Sequence, residues 1–218
     1  MIIFDPEFTE VIYLDTECYV PIEDRGRSSG SLVVNPWKSR HSLLGGVFVR
    51  AFPLKGSAIE MEPIWSWKLG SEKDAIKRIH DFFRASWKMI EHRTPDHPDL
   101  ILVGTGISRF DIPMLFAKSS MNGIDSNEAL YDMYFKTKMV DLDIAGIPLF
   151  DRTPAPVLYP KKVTQLMSRF GIAASKVSGK SVWELYDNQA FEDIEKRTAG
   201  EVEAIMKIAS KILPMRRT

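Results

Sequence analysis

Two carboxylates stand two residues apart in Asp15-Thr16-Glu17, at the end of the apolar run Val11-Ile12-Tyr13-Leu14. Side chains at i and i+2 of a strand share a face, so both acids are expected to project together from the edge of a core strand. Carboxylates that close repel, and at least one keeps its proton to higher pH unless a cation lies between them. An all-oxygen site suits Mg²⁺ or Mn²⁺. A solvated strand end is the plain alternative, so the pair gains meaning only from partners elsewhere in the chain.

The sequence supplies such partners. Asp111 follows Gly104-Thr105-Gly106-Ile107-Ser108-Arg109-Phe110, a glycine-containing turn after the apolar run Leu100 to Val103. A helix predicted over Asp111 to Met121, with Pro113 tolerated in its first turn, places Asp111 at the carboxyl edge of a sheet, where α/β sites gather. Late in the chain, Gly200-Glu201-Val202-Glu203-Ala204 puts Glu201 and Glu203 on different faces of a terminal helix, so one of them can reach a site. Asp141, at the end of a short strand, is expected to be structural.

The elements that must position these acids are legible from periodicity. Val11 to Leu14 reads as a buried strand; Gly45 to Phe52 and Ile59 to Leu69 read as two more. Ser71 precedes an apolar stripe through Ala75, Ile76, Ile79, Phe82, Phe83 and Trp87 at helical spacing, and can cap that helix. Leu100 to Val103 and Met139 to Leu142 are strand candidates. Four prolines between Ala145 and Pro160 predict an irregular crossing. Short helices are expected around Lys162 to Phe170 and Ser181 to Tyr186, then a long one over Phe191 to Leu213. The order β-β-β-α-β-α-β-α argues for one α/β domain over 1–218, its mixed sheet antiparallel early and parallel late. Trp65, Trp67, Phe82, Phe83 and Trp87 are expected in the core. The four histidines show no metal-ligand spacing, and Cys18 is expected to be a buried thiol.

Together these motifs resemble the DEDD 3′–5′ exonucleases, which share the ribonuclease H-like fold. Ile12-Tyr13-Leu14-Asp15-Thr16-Glu17 is similar to their first motif and Arg109-Phe110-Asp111-Ile112-Pro113-Met114-Leu115 to their second. The second is closest to the version in proofreading domains of family-B DNA polymerases and their stand-alone relatives. Gly200-Glu201-Val202-Glu203-Ala204 resembles the third, with Glu201 in the place of a metal-binding aspartate. The resemblance spans about residues 10 to 210. It implies two divalent ions, Mg²⁺ or Mn²⁺, roughly 3.5–4 Å apart at the scissile phosphate, and nucleoside 5′-monophosphate products. Asp15 would bridge both ions, Glu17 and Glu201 would hold the one that activates water, and Asp111 the other, largely through water. The chain departs from the pattern in three places. Glu201 stands for Asp; Arg197 and Lys196 stand where a Tyr or His orients the attacking water; Gly106 stands where the second motif often carries Asn. Tyr159 is a candidate substitute for the water-orienting group. The alternative reading is a catalytically degenerate nuclease fold that serves as a nucleic-acid-binding or scaffold subunit.

The expected substrate is single-stranded DNA, with RNA open because nothing here reads a 2′-hydroxyl. Lys plus Arg equals Asp plus Glu at 29 each, which excludes a global basic field, so affinity for nucleic acid must come from a local patch. The polar 21–42 loop, with a short strand expected at Leu32 to Val34, offers Arg25, Arg27, Lys38 and Arg40 for phosphates and Trp37 for stacking. Thr16 and Phe110, within the motifs, are further candidate contacts. Arg197 is expected on the helix surface, with phosphate contact as the alternative. A polymerase or repair complex could recruit such a domain. With one cysteine, no apolar run near the roughly 20 residues that span a bilayer, and no signal-peptide layout in Met1 to Glu10, the expected location is cytoplasmic.

Overall fold

One strand organises the molecule: β1 (Thr9–Tyr19) lies at the centre of a five-stranded mixed sheet in a computed structural model that describes residues 9–25, 34–51, 60–93, 99–150, 159–173 and 181–212. On one side of β1 are β2 (Ser42–Ala51) and β3 (Glu60–Trp65), joined as antiparallel neighbours. On the other are β4 (Asp99–Gly104) and β5 (Lys138–Asp141), both parallel. The sheet order is therefore β3-β2-β1-β4-β5. Early hairpins and late crossovers account for the two halves, as the element order predicts.

Helices cover both faces, and the two-residue period of β1 assigns each face its residues. The short α1 (Ser66–Leu69) is followed by α2 (Glu72–Arg93), α3 (Asp111–Met121) and α4 (Asn127–Phe135). Ile12, Leu14 and Cys18 point toward α2, α3 and α4, where they meet Ile76, Ile79, Phe83, Leu115 and Tyr134. After β5 come the short α5 (Leu142–Ala145), then α6 (Val163–Arg169), α7 (Ser181–Asp187) and the long α8 (Phe191–Ile212). Val11 and Tyr13 point to this second layer, against Val202, Ile205 and Ile208 of α8. Burying each large aliphatic or aromatic side chain here is worth roughly 1.5–3 kcal/mol. The alternation at 11–14 therefore continues to Asp15 and Glu17, which leave the sheet on the α8 side. Among the described residues, no helix is long and apolar enough to cross a membrane.

The chain differs from the sequence reading in several places. The strand expected over Ile59 to Leu69 ends at Trp65, and Ser66–Leu69 coils into α1. There Trp67 stacks on Trp65 and on Phe191, each at 4.8 Å between ring centroids. Gly70, at φ +94, closes the turn. α4 was not expected; its signal is Ser126, whose Oγ accepts the Ala129 N–H at 3.2 Å, ahead of the buried Leu130 and Tyr134 at helical spacing. Ser71 does cap α2, its Oγ accepting the Asp74 N–H at 3.0 Å. Of the strand expected at Leu32 to Val34, only Val34 lies among the described residues, and it is not in a strand.

Candidate metal centre

β1 and α8 bring three acids together. Carboxylate oxygens of Asp15, Glu17 and Glu201 all lie within 4.8 Å of one another. Glu203, two residues on, faces solvent, as the helical period requires. Arg197 precedes Glu201 by one turn of α8, and its guanidinium forks between two of the acids. Nη1 pairs closely with Glu17 Oε1, and Nη2 lies 2.8 Å from Glu201 Oε1. Thr198 Oγ lies 3.1 Å from Glu17 Oε1. Arg197 is thus buried in the cluster, not on the helix surface where its sequence context placed it. An exposed position would leave the carboxylates to repel one another without a counter-charge.

The electrostatics mark the cluster as overloaded with negative charge. Burial, then the neighbouring Glu201, Glu17 and Asp111, holds the Asp15 carboxyl well above the usual carboxylate range. Burial pushes Glu17 up to about 7, although Arg197 pulls in the opposite direction. Asp15 Oδ2 is buried and meets no hydrogen-bond donor among the described residues; the side chain that Asp15 can share a proton with is a second acid, Glu201. Such an atom loses its water without compensation.

Asp111 is the first residue of α3 and stands beside the cluster, outside the 4.8 Å set. Its Oδ1 accepts two hydrogen bonds from Thr16, from the N–H at 2.9 Å and from Oγ at 2.6 Å. Burial raises its carboxyl to about 6 against those two bonds. The turn that delivers it depends on glycine. A Cβ on Gly104 would sit 2.2 Å from Ile107 Cγ2, and Gly106 adopts φ +75. Asp141 anchors that turn, accepting from the Gly106 N–H at 2.9 Å, the Ser108 N–H at 3.3 Å and Ser108 Oγ at 2.6 Å. Its role here is structural, as expected.

The candidate nucleic-acid contacts divide differently. Thr16 is buried and engaged with Asp111, which makes it a positioning residue. Phe110 is half-buried against the α2–α3 core. Arg25 donates to the Val20 carbonyl at 2.7 Å and pairs with Asp187 at 2.7 Å. Lys38 Nζ lies 3.7 Å from Asp24, and Arg40 lies 3.1 Å from Glu23, both on the surface. Trp37 is 56% exposed, edge-on to Phe116. Arg27 lies outside the described residues. Arg25, Lys38 and Arg40 therefore face acids of the same surface, and among the described residues of the loop Trp37 offers an open aromatic face. Tyr159 is exposed. His41 is satisfied, between the Asn35 N–H and Asp24, and Cys18 is a buried thiol. Sequence reasoning missed Thr198; its signal was a hydroxyl on the face of α8 shared with Ile194 and Val202. Arg197 and Glu201 also line a cavity of about 840 Å³ along α8, whose apolar wall includes Val163, Met167, Leu185 and Ala204.

No known family model and no curated protein matches this chain.

Proposed function

We propose that the chain is a metal-dependent 3′–5′ exonuclease of the DEDD superfamily, with a ribonuclease H-like fold, acting on single-stranded nucleic acid, DNA before RNA. The observation that carries this reading is the convergence of Asp15, Glu17 and Glu201 from two elements on one point, with a buried Asp15 oxygen left unpartnered there. A hard divalent cation fits that donor set, since all its ligands are carboxylate oxygens and their charge is in surplus. The mixed sheet, antiparallel on one side of β1 and parallel on the other, is compatible with the fold.

Asp15, Glu17 and Glu201 would hold the cation, with Asp111 close enough to add its charge. Divalent ions in such a site supply an activated water and a counter-charge for the departing 3′ oxygen. The chain's own part is positional. Thr16 fixes the Asp111 carboxylate through two hydrogen bonds. Asp141 fixes the turn that carries Asp111, and α8 holds Glu201 at the distance β1 requires. Trp37 is an exposed aromatic that could stack a base.

A second reading has its own observation. Arg197 already neutralises part of the cluster, as a degenerate nuclease fold kept for binding would allow. Cleavage of 5′-labelled single-stranded DNA and RNA with Mn²⁺, Mg²⁺ or EDTA separates the two. The expected outcome is a ladder shortening from the 3′ end, lost in EDTA and in an Asp15→Ala/Glu17→Ala double variant. Folded wild-type protein that binds the oligonucleotide but leaves it intact under both metals supports the binding subunit instead.

A further inference from the structure

We infer that Arg197 takes the place of one divalent ion, so that the carboxylate cluster of this chain loads one ion fewer than its acids would otherwise hold. The inference rests on the metal-site reading above and deepens it. Its basis is geometric. Arg197 is a largely buried cation set among the candidate ligands, with Nη1 on Glu17 and Nη2 2.8 Å from Glu201, so it bridges two of the three converging acids. A divalent ion coordinated by that same pair would have to share their oxygens with a guanidinium a few ångströms away, and the two cations repel. A guanidinium never gives up its charge in this pH range, so pH cannot clear the position.

The arrangement is built into α8. Residues four apart on a helix lie one above the other, so Arg197 and Glu201 reach the cluster from adjacent turns. The longer glutamate side chain at 201 lets the carboxylate meet Arg197 while remaining within 4.8 Å of Asp15. The oxygen that stays unpartnered, Asp15 Oδ2, lies on the acid that Arg197 is not bonded to. The cluster thus holds one cation of its own and keeps one open ligand position. The pair Arg197 and Glu201 acts as a unit: shortening 201 or discharging 197 alters the same position.

The test counts ions. Wild-type protein and an Arg197→Gln variant are titrated with Mn²⁺ at pH 7.5 in the absence of nucleic acid. Free Mn²⁺ is followed by electron paramagnetic resonance, and the bound metal is quantified after dialysis. The expected result is one more ion per chain in Arg197→Gln than in wild type, with Arg197→Lys, which keeps the charge, matching wild type. Equal non-zero counts in wild type and Arg197→Gln overturn the inference and leave the metal-site reading standing. No Mn²⁺ bound by either protein removes both. Arg197→Met, which keeps much of the aliphatic volume without the charge, replaces Arg197→Gln if circular dichroism shows that the glutamine variant does not fold.

Discussion

The two ends of β1 both bury carboxylates, and they handle them in opposite ways. At the start of the strand, fully buried Glu10 lies 3.0 Å from Arg50 Nε on β2. That guanidinium also reaches Ser86 Oγ at 3.0 Å, the Phe82 carbonyl at 3.3 Å and Glu60 at 3.1 Å, and lies over the Phe82 ring at 4.5 Å. At the far end, Asp15, Glu17 and Glu201 converge, with Asp111 beside them and Arg197 bonded to two of the acids. The first network uses its guanidinium on every side. The second gathers three acids around one guanidinium, more negative charge than Arg197 can offset. A buried acid is therefore not by itself a sign of function. What differs between the two ends is the balance of charge around the acids.

The largest expected effect falls on the balanced end. Arg50→Met leaves Glu10 buried without its counter-charge, and should cost roughly 3–5 kcal/mol in urea denaturation, with no change in Mn²⁺ uptake. A loss below about 1 kcal/mol would mean that this network is not the fixed end of the strand. The overloaded end should respond with the opposite sign. In EDTA at pH 7.5, Asp15→Asn removes a carboxylate whose neighbours repel it, and should raise stability by roughly 1–2 kcal/mol while abolishing the proposed metal-dependent cleavage. If Asp15→Asn destabilises as strongly as Arg50→Met, the contrast between the two ends is wrong.

A third, smaller effect sharpens the comparison through pH. Glu17 is raised from 4.5 to about 7 and Asp111 from 3.8 to about 6, so between those limits the folded protein binds more protons than the unfolded chain. The stability tied to these groups is fully present below the unfolded values and is lost as pH rises through the folded ones. The Tm of EDTA-treated protein should therefore fall by roughly 5 °C between pH 5 and pH 7.5, and saturating Mn²⁺ should flatten that slope. Differential scanning calorimetry across the window checks this. A Tm that climbs with pH in EDTA contradicts the surplus of negative charge.

Much of the arrangement was legible in the residues because it depends on local periods. The two-residue alternation of β1 put Asp15 and Glu17 on one face, and the helical period of α8 turned Glu201 inward and Glu203 outward. The expected bounds of α3 are those observed, and α8 begins at the expected Phe191 and runs to Ile212, the last described residue. For the loop at 21–42, charge counts along the chain did not say which charges meet. Arg25, Lys38 and Arg40 each found an acid whose position depends on the folded surface.

The sequence by itself determined which acids could share a face, since strand and helix geometry follow from backbone sterics alone. Only the tertiary structure decided that β1 and α8 meet at those acids. The same packing drew Arg197 inward between Glu17 and Glu201, and set Thr16 to hold Asp111. The contacts of Thr16 with Asp111, and of Arg197 and Thr198 with Glu17, join residues 95 to 181 positions apart. No local period encodes such pairings; they are fixed when the apolar faces of β1 and α8 close on one another and carry their polar ends along.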